Sequence, residues 1–571
     1  MQLAYARGLS WLDPSELRVG LGCMRLPADE ALALETVAAA VAAGVTVFDT
    51  ARAYVDNERL VARALRQAGA ADRARIVTKG GMARHGAAFV PDGRAKALRA
   101  DCEASLAALD GLPVDLYLVH APDPRTPWTT TVRALARLAD EGLVRRVGVS
   151  NVNRSQLDAA LELAPVAAVQ VALSVFDDRA LRGGVVERCS ERGIAVIAHS
   201  PLGGPGRARR LARRPELAEV AAALEATPAE VAIAWLLDLS AFVVPIPGAR
   251  RPETARSVAS AATLQLDERG RAALGGRPAV RRAPRRPDGR AEVVLVMGIP
   301  GAGKTRLAAG LVERGYRRLN RDERGGSLRE VADALEHELS SGARRIVLDN
   351  TYLTRAARSH VVDAAARSGV PVRCLWLDTP VAQAQINLVE RLLERFGALP
   401  SPEVLKADRQ PGGLLPTSQL RAVRELEPPS ADEGFASVER VAFERAARAG
   451  GRPGLFVAAA ALRTPGFEGV LGERAGSPCL VFDWRPEGVP ADLDAQVERV
   501  AGVLEGVVEA AVCPHGGGPP RCWCRPPLPG LVLGFARRHG VDPARSTLLG
   551  TGPAHRTLAA ALDAVYREAP D

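Results

Sequence analysis

The first half of the chain alternates short apolar runs with amphipathic stretches of helical period. The apolar runs have the length of buried strands and lie near 45–48, 75–78, 115–119, 146–149, 168–172, 195–198 and 242–246. The stretches between them, such as 31–43 and 94–109, place their apolar residues on one helical face. Strands that alternate with helices over roughly 250 residues predict an α/β fold of the (β/α)8 TIM barrel type. We expect this barrel to occupy residues 1–275.

Polar residues stand where the predicted strands end, which is the edge where barrels of this type carry their chemistry. They are Asp49, Tyr54, Lys79, His120, Ser150, Asn151, Gln170, His199 and the pair Pro247-Gly248. A tyrosine with a pKa near ~10 is a weak proton donor unless a cation favours its phenolate. Lys79, held by Asp49, can be that cation for Tyr54, and His120 can orient a carbonyl group. The alternative is that Tyr54 and Lys79 are ordinary surface residues of barrel loops.

Several separated motifs in this region resemble the aldo-keto reductases. They are GLGCMR at 20–25, Asp49-x4-Tyr54, IVTKG at 76–80, LVH at 118–120, GVSN at 148–151 and IPGA at 246–249. The resemblance implies reduction of a small carbonyl substrate, with Asp49, Tyr54, Lys79 and His120 as the catalytic residues. It also implies that NADPH or NADH binds without a GxGxxG fingerprint, and none is present.

The same resemblance assigns the cofactor contacts. Ser150, Asn151 and Gln170 would hold the nicotinamide amide. Arg250 and Arg251, which follow the Pro247-Gly248 turn, suit a 2′-phosphate and favour NADPH. The sequence departs from the family where His199 replaces a tyrosine that stacks on the nicotinamide. It departs again where Ser257 and Val258 replace a Glu-Asn pair that contacts adenine.

Residues 276–290 are rich in arginine and proline and lack apolar periodicity. This composition predicts an extended linker. Its arginines are interpreted as a solvated tether, with phosphate contact as the alternative.

The segment GIPGAGKT at 298–305 follows the apolar run 293–297 and precedes a helical pattern. This order is typical of a P-loop, in which glycines let backbone N–H groups converge on phosphate at a helix N-terminus. The predicted ATP contacts are Gly298, Gly301, Gly303, Lys304 and Thr305, with Lys304 on the phosphates and the Thr305 hydroxyl on Mg²⁺. Two further apolar strands end in acids, Asp322 and Asp349. We expect a parallel α/β nucleotide-binding domain over 291–450.

GIPGAGKT, the Asn320-Arg321-Asp322 segment and the VLDNT run at 347–351 resemble the kinase module of polynucleotide 5′-kinases. The resemblance implies that Asp322 is the general base for the 5′-hydroxyl of a nucleic-acid end. Asp349 is then either an acceptor-site residue or a Mg²⁺-site acid. Arg391 and Arg395 lie four residues apart on a predicted helix at 381–396 and resemble lid arginines that stabilise the transferring phosphate. A solvated helix face is the alternative for this pair.

Residues 451–571 contain Cys513, His515, Cys522 and Cys524, four soft ligands within twelve residues. This spacing predicts a tetrahedral Zn²⁺ site, with reactive thiols or a disulfide as the alternatives. The pattern resembles the zinc-loop phosphatases of the haloacid dehalogenase-like superfamily, which implies a small Rossmannoid domain. Both expected aspartates of the first strand are alanine in LFVAAAA at 455–461, Pro526 replaces the expected lysine, and Thr551 replaces the late aspartate. We therefore expect a catalytically inactive phosphatase-like domain.

The composition adds little to these predictions. The formal net charge is +9, and 75 residues are lysine or arginine. Only Lys79, Lys96, Lys304 and Lys406 of these are lysine, which indicates a bias in composition. Where arginine is the rule, a retained lysine indicates a need for a compact, titratable ammonium, and two of the four fall in catalytic motifs. The sequence predicts no membrane span and no signal peptide, and hence the cytoplasm.

Taken together, the sequence predicts a reductase, a kinase and an inactive zinc-bearing domain on one chain, with repair of nucleic-acid ends as the joint role. Two alternatives remain open. The kinase could act on a small hydroxylated metabolite, or the chain could be a nucleotide-gated sensor without turnover.

Overall fold

The computed structural model describes residues 11–13, 15–85, 88–275, 291–408, 413–443, 450–464, 467–472, 476–488, 493–518 and 520–569. The chain forms two compact units, Met1–Arg281 and Arg282–Asp571. The predicted linker at 276–290 lies outside the described residues, so its extended form stays a prediction.

The first unit is an eight-stranded parallel barrel with one added hairpin. Its strands are β1 (Gly20–Gly22), β2 (Val47–Asp49), β3 (Arg75–Gly80), β4 (Met82–His85), β5 (Ala88–Pro91), β6 (Val114–Val119), β7 (Val147–Ser150), β8 (Val166–Ala172), β9 (Ala195–His199) and β10 (Val243–Pro245). The sheet order is β1-β2-β3-β6-β7-β8-β9-β10, and β4 pairs with β5 as the hairpin. A hydrogen bond from Gly22 N to Pro247 O (3.0 Å) brings the last strand back to the first. The predicted barrel is confirmed.

Helices connect the barrel strands on the outside. They are α1 (Glu30–Ala42), α2 (Asn57–Gln67), α3 (Ala95–Leu109), α4 (Trp128–Asp140), α5 (Arg154–Leu161), α6 (Arg179–Arg182), α7 (Val185–Arg192), α8 (Pro205–Ala208), α9 (Pro215–Ala223), α10 (Pro228–Leu239), α11 (Pro252–Ala261) and α12 (Glu268–Ala273). Local sequence sets several of their starts. Thr227 and Glu230 form a reciprocal capping box at α10, whose first residue is Pro228.

Alternate side chains of each strand face the barrel interior or the helices. In β6, Leu116 and Leu118 belong to the interior cluster, whereas Tyr117 and Val119 pack in the layer between strands and helices. Trp11 joins the interior cluster, and its indole Nε1 donates to Asp115 Oδ2 (2.7 Å). The opposite, carboxyl ends of the strands therefore remain available for a site.

The second unit begins with a five-stranded parallel sheet. Its strands are β11 (Glu292–Met297), β12 (Arg317–Leu319), β13 (Arg345–Asp349), β14 (Val372–Leu377) and β15 (Ser437–Val441), in the order β12-β13-β11-β14-β15. Its helices are α13 (Lys304–Glu313), α14 (Arg321–Arg324), α15 (Leu328–Ser340), α16 (Arg355–Arg367), α17 (Val381–Phe396), α18 (Pro402–Ala407) and α19 (Pro416–Glu425). The parallel α/β architecture agrees with the prediction.

A second five-stranded parallel sheet follows in the same unit. Its strands are β16 (Leu455–Ala458), β17 (Cys479–Trp484), β18 (Val508–Cys513), β19 (Thr547–Gly550) and β20 (Val565–Glu568), in the order β18-β17-β16-β19-β20. Its helices are α20 (Phe467–Gly472), α21 (Leu493–Leu504), α22 (Gly530–His539) and α23 (Pro553–Ala561). The assignment of this sheet to a phosphatase-like fold stays a prediction, as does the domain boundary at 450/451.

Residues of α17 lie in the apolar cores of both sheets of the second unit. Five of its side chains are buried in one cluster with residues of β16, β17 and α22; they are Ile386, Leu388, Val389, Leu392 and Leu393. The same cluster contains Trp523 and Phe535. Ala384, on the same helix, is buried in the cluster that contains Val296 and Leu375 of the first sheet, so α17 packs against both sheets.

No single helix of the described residues is long and apolar enough to cross a bilayer, although α9 and α10, which meet at 93°, pass that test as a bent pair.

Candidate functional sites

A buried ion pair lies at the carboxyl ends of β2 and β3. Lys79 Nζ donates to Asp49 Oδ1 and to the Thr50 carbonyl oxygen, both at 2.7 Å. Gln170 Nε2 on β8 donates to the other carboxylate oxygen of Asp49 (2.6 Å). Burial raises the pKa of Asp49, and Lys79 and Gln170 oppose that rise. Burial lowers the Lys79 pKa, but Asp49 and Tyr54 together raise it by more, so the net pKa is raised and the ammonium is retained.

Tyr54 lies beside this ion pair, in the short turn that follows β2. The Lys79 ammonium is 5.3 Å from the centroid of the Tyr54 ring. Burial is the largest influence on the Tyr54 pKa and raises it, while the charge and hydrogen bond of Lys79 lower it. The net direction is upward. Lys79 lowers the Tyr54 pKa, as the sequence predicts. Burial of the phenol raises that pKa by more than Lys79 lowers it.

His120 follows β6 and packs edge-on against Tyr54, with ring centroids 5.8 Å apart. Burial, Lys79 and His199 lower the pKa of His120 to about 3. The ring is therefore neutral near pH 7, and one of its nitrogens carries a proton. Its buried Nδ1 has no hydrogen-bond partner among the described residues. A neutral imidazole here can donate one hydrogen bond toward a carbonyl oxygen.

The predicted nicotinamide contacts form a hydrogen-bonded group at the ends of β7 and β9. Asn151, in the left-handed conformation (φ 57°), donates through Nδ2 to His120 O (3.0 Å) and to Ser150 Oγ (3.1 Å). His199 Nε2 lies 3.1 Å from Asn151 Oδ1. Burial lowers the His199 pKa to about 4, so this ring is also neutral. Ser150, Asn151 and His199 thus lie together as predicted, whereas Gln170 directs one N–H to Asp49.

The remaining predicted cofactor residues lie between β10 and α11. Pro247 is buried beside β1, and Gly248 is exposed. Arg250 and Arg251 are exposed, and Arg251 is the residue before α11, whose N-terminus favours an anion. Ser257 on α11 donates its hydroxyl to Glu230 Oε1 (2.7 Å), so that side chain contacts α10.

Sequence reasoning missed the apolar rim of this site. Phe89 lies on the β4–β5 hairpin, and the centroid of its ring is 6.4 Å from the ring centroids of both Tyr54 and His120. Phe89, Val55 and Met24 are 40%, 54% and 47% exposed, which is unusual for large apolar side chains. Val55 also has a positive φ (61°), which is strained for a β-branched residue, and strained backbones of this kind cluster at functional sites.

The glycine-rich loop of the second unit has the backbone that a phosphate cradle requires. Gly298, Gly301 and Gly303 have φ values of 154°, 87° and 98°. A Cβ at Gly301 would lie 2.2 Å from the Ala384 carbonyl oxygen, so only glycine fits there. Lys304 and Thr305 begin α13, and Lys304 Nζ donates to Gly298 O (2.9 Å) and Ile299 O (3.0 Å).

The charged residues predicted from the sequence surround Lys304. The Lys304 pKa is lowered to about 8, because burial and the charge of Arg391 lower it by more than Asp349 and Asp322 raise it. The structure therefore brings Arg391, Asp322 and Asp349 into the electrostatic neighbourhood of the loop. An ammonium that is poorly compensated and buried has a strong affinity for phosphate.

Asp349 and Asp322 differ in their surroundings. Asp349 is buried, and its carboxylate accepts from Arg318 Nε (2.9 Å) and Nη2 (2.7 Å) and from Asn320 Nδ2 (2.9 Å). Asp322 lies on α14 with its side chain 48% exposed, where Arg321 Nη2 donates to it at 3.2 Å. The exposed Asp322 carboxylate is the more accessible one for an incoming hydroxyl group. Arg318 and Asn320 are partners of Asp349 that sequence reasoning did not assign.

The two predicted lid arginines have different contacts. Arg391 is exposed on α17 and influences Lys304. Arg395 Nη2 donates to Asp408 Oδ1 (2.8 Å), and its guanidinium lies 4.8 Å from the centroid of the Phe396 ring. The structure thus relates Arg391 to the phosphate loop and pairs Arg395 with an acid beyond α18.

Three polar side chains, which sequence reasoning did not identify, support the backbone of the phosphate loop. Asn387 Nδ2 on α17 donates to Gly301 O (2.8 Å), Thr379 Oγ1 donates to Ala302 O (2.9 Å), and Gln419 Nε2 on α19 donates to Pro300 O (3.1 Å). These bonds satisfy the loop carbonyls, and the loop N–H groups are left to meet phosphate.

The four predicted metal ligands converge after β18. Cys513 Sγ lies 3.5 Å from Cys522 Sγ and 3.3 Å from Cys524 Sγ, and His515 Nδ1 lies 3.6 Å from Cys513 Sγ and 3.3 Å from Cys524 Sγ. All four ligand atoms lie within 4.8 Å of one another. A tetrahedral site with Zn–S bonds of about 2.3 Å separates its sulfurs by nearly 4 Å, so this donor set fits zinc. The three cysteines are buried and free, with sulfurs farther apart than a disulfide bond of about 2.05 Å.

Comparisons with known proteins address both units. Residues 18–274 match the model described as the aldo/keto reductase family, and residues 293–407 match a model described as an AAA domain. The Glycine max protein named "Probable aldo-keto reductase 1" is 31% identical over 290 residues, covering 44% of this chain and 82% of that protein. Aldo-keto reductase str7 of Strobilurus tenacellus is 31% identical over 265 residues, covering 41% and 78%.

Among solved structures, an aldo/keto reductase from Klebsiella pneumoniae in complex with NADP and acetate is 29% identical, with a TM-score of 0.39. The match covers 45% of this chain and 89% of that one. The family predicted from the sequence is confirmed for the first unit, and the AAA-domain match supports a P-loop-type domain after it. By its first unit, the chain belongs to the aldo-keto reductase family.

Proposed function

We propose that the first unit reduces a small aldehyde or ketone with NADPH. The observation that carries this proposal is the grouping of Tyr54, Lys79 and His120 over the buried Asp49. Bound NADPH supplies a hydride to the carbonyl carbon. Tyr54 donates its phenolic proton to the carbonyl oxygen, and Lys79 stabilises the phenolate that remains. Neutral His120 donates a hydrogen bond that orients the carbonyl oxygen.

The polar group at the ends of β7 and β9 would hold the nicotinamide, and it fits that role because it presents amide and hydroxyl groups beside His120. Ser150, Asn151 and His199 are the contacts, with His199 in place of a stacked tyrosine. Arg250 and Arg251, near the N-terminus of α11, would meet the 2′-phosphate and favour NADPH over NADH.

The rim favours a carbonyl substrate with an apolar or aryl group. Phe89, Val55 and Met24 offer exposed apolar surface at the mouth, which a hydrated sugar would not bury favourably. A substrate of this kind would place its carbonyl toward Tyr54 and its ring or alkyl group against Phe89.

Reduction is measured by NADPH oxidation with an aryl aldehyde and, in parallel, with an aldose. We expect turnover of the aryl aldehyde by the wild type and a loss of about 10²–10⁴-fold in Tyr54→Phe, the usual contribution of a positioned general acid. Tyr316→Phe, in the second unit, is the matched control because it removes a phenol that contacts Glu292. A Tyr54→Phe variant with wild-type turnover would overturn the proposed role of the phenol.

We propose that the phosphate loop binds ATP with Mg²⁺ and that the second unit transfers its γ-phosphoryl group to a hydroxyl. Supporting observations are the Gly301 cradle, the lowered pKa of Lys304 and the exposed Asp322 carboxylate. Lys304 and Arg391 would stabilise phosphate charge, the Thr305 hydroxyl would hold Mg²⁺, and Asp322 would accept the hydroxyl proton. Asp349, which accepts hydrogen bonds from Arg318, is the second acid that could bind a metal-bound water or the acceptor hydroxyl.

A nucleic-acid 5′-hydroxyl end is the first acceptor to test, with sugars and polyols as the small-molecule alternative. Transfer of labelled phosphate from ATP to 5′-hydroxyl RNA or DNA, to sugars and to polyols distinguishes them. We expect Asp322→Asn to lose transfer while it retains ATP binding, and Asp333→Asn, an exposed acid on α15, to behave as the wild type. Tight ATP binding without transfer to any acceptor would favour the sensor instead.

We propose that the cysteine–histidine cluster holds one zinc ion and that the sheet beneath it has no phosphatase activity. Ala459 and Ala461, which follow β16, cannot provide a nucleophile or a proton donor. Elemental analysis of the purified chain should give one zinc per molecule, and Cys522→Ser should reduce it. Hydrolysis of a phosphomonoester that survives in a metal-replete, kinase-inactive Asp322→Asn variant would contradict the inactive assignment.

A further inference from the structure

The residue between two of the metal ligands is hydrogen-bonded to the segment just before α19. We call residues 513–518 and 520–530 the metal loop. Within it Trp523, between Cys522 and Cys524, is only 1% exposed. Its indole Nε1 donates to the carbonyl oxygen of Leu414 (2.8 Å), which lies just before α19. A metal ion that binds Cys522 and Cys524 therefore fixes the backbone on both sides of a buried anchor.

From Leu414 the connection continues along α19 to the phosphate loop. Gln419, one turn into α19, is fully buried and donates to the Pro300 carbonyl oxygen (3.1 Å). The metal loop, α19 and the phosphate loop are thus joined by two hydrogen bonds and one turn of helix. A displacement of Leu414 would move the donor that holds Pro300.

A second connection runs through α17. Its apolar face is buried with Trp523 and Phe535, and Leu399, just beyond the helix, packs against the three cysteine ligands. The other face reaches the phosphate loop, where Asn387 donates to Gly301 O (2.8 Å). Because Gly301 has no room for even a Cβ against α17, the position of this helix sets the position of the loop.

We infer that the metal centre positions the phosphate loop, so that metal and nucleotide bind with positive coupling. This inference rests on the proposed binding of ATP and zinc to the second unit. Metal binding fixes the position of Trp523, and with it α19 and the donor to the Pro300 carbonyl. Metal binding also fixes the side chains against which Leu399 packs, and with them α17 and the donor to the Gly301 carbonyl. Coupling of this type between two sites changes each affinity by about 5- to 150-fold, and it is reciprocal.

The first experiment measures the ATP dissociation constant of the full chain by calorimetry, with zinc bound and after chelation under reducing conditions. Removal of zinc should weaken ATP binding at least fivefold. In the reciprocal measurement, saturating ATP should slow zinc transfer to a chromophoric chelator, and the equilibrium shift in zinc affinity should equal the shift in ATP affinity. Equal ATP affinity in folded zinc-loaded and zinc-free protein would overturn the inference.

Trp523→Phe keeps the ligands and most of the buried ring but removes the bond to Leu414, so it tests the connection even if the zinc-free protein unfolds. The matched control is Trp484→Phe, which also loses an indole bond to the metal loop, from Nε1 to His515 O (2.7 Å), but this bond does not involve the segment before α19. At equal zinc content, Trp523→Phe should bind ATP more weakly and Trp484→Phe should not. Equal affinity in both variants would overturn the inference, whereas no ATP binding by the zinc-loaded wild type would overturn the proposed nucleotide site itself.

Discussion

Replacing Lys79 with methionine tests the proposed reductase site at its centre, because Lys79 contacts both Tyr54 and Asp49. Its ammonium lies 5.3 Å from the centroid of the Tyr54 ring. At an effective dielectric constant of about 20, one unit charge at that distance stabilises a phenolate by about 3 kcal/mol. Since each 1.4 kcal/mol changes a rate about tenfold, we expect kcat to fall by about 100-fold.

The same substitution has a separate effect on stability. The side chains of Lys79 and Asp49 are 1% and 5% exposed, so removal of the ammonium leaves a buried carboxylate with Gln170 as its side-chain donor. Removing one partner of such a pair costs about 3–5 kcal/mol of unfolding free energy. The double variant Asp49→Asn/Lys79→Met should regain most of this stability and none of the rate, which separates the two roles of Lys79.

The assays are single-turnover NADPH oxidation as a function of pH and urea denaturation of the same samples. Tyr54 must be protonated to act as an acid, so the rate falls as the pH rises through its pKa. Burial raises that pKa and Lys79 opposes the rise. Without Lys79 the basic limb of the profile should therefore move to higher pH while the plateau falls. A Lys79→Met variant with wild-type kcat, or with its basic limb at lower pH, would refute this reasoning.

Three further predictions concern acid stability, the phosphate loop and the rim. The pKa values of His120 and His199 in the folded protein are about 3 and 4, below the usual value of about 6.5. The stability that the two neutral rings contribute is therefore full above pH 6.5, and the free energy of unfolding falls toward acid by up to about 1.4 kcal/mol per pH unit for each histidine. Denaturant unfolding should show that this free energy depends less steeply on pH in His199→Gln than in the wild type between pH 4 and 6.5. Gly301→Ala should abolish ATP binding in calorimetry, whereas Gly315→Ala, at a similar φ of 88° with open space around it, should not. Phe89→Ala should lower kcat/KM for aryl aldehydes by about tenfold, because about 1–2 kcal/mol of apolar burial is lost. The same substitution should barely change kcat/KM for acetaldehyde, and equal losses for both substrates would contradict an apolar rim.

The positions that sequence reasoning predicted well are those fixed by strand ends. Asp49 and Lys79 lie at the carboxyl ends of β2 and β3, and His120 follows β6, so their approach to one another follows from the parallel barrel alone. The glycine loop before α13 was predictable for a similar reason, since a strand, a glycine turn and a helix are contiguous in sequence.

The residues that were missed depend on burial or on distant contacts. The net rise in the Tyr54 pKa reflects how deeply the phenol is buried, which no local pattern encodes. Phe89 lies on a short hairpin without helical or long strand periodicity. Asn387 and Gln419 are isolated amides on amphipathic helices and resemble solvated positions until the fold brings them to the phosphate loop.

The apolar packing of α17 against the second sheet gives the last 120 or so residues of the chain a structural role that does not depend on any chemistry of their own. A chain truncated at the 450/451 boundary would expose the apolar stripe of Ile386, Val389 and Leu393 to water. Such a fragment would be prone to aggregation and proteolysis before it could bind nucleotide. Covering the apolar stripe of α17 is therefore sufficient reason for the chain to retain this region, independent of any reaction carried out there.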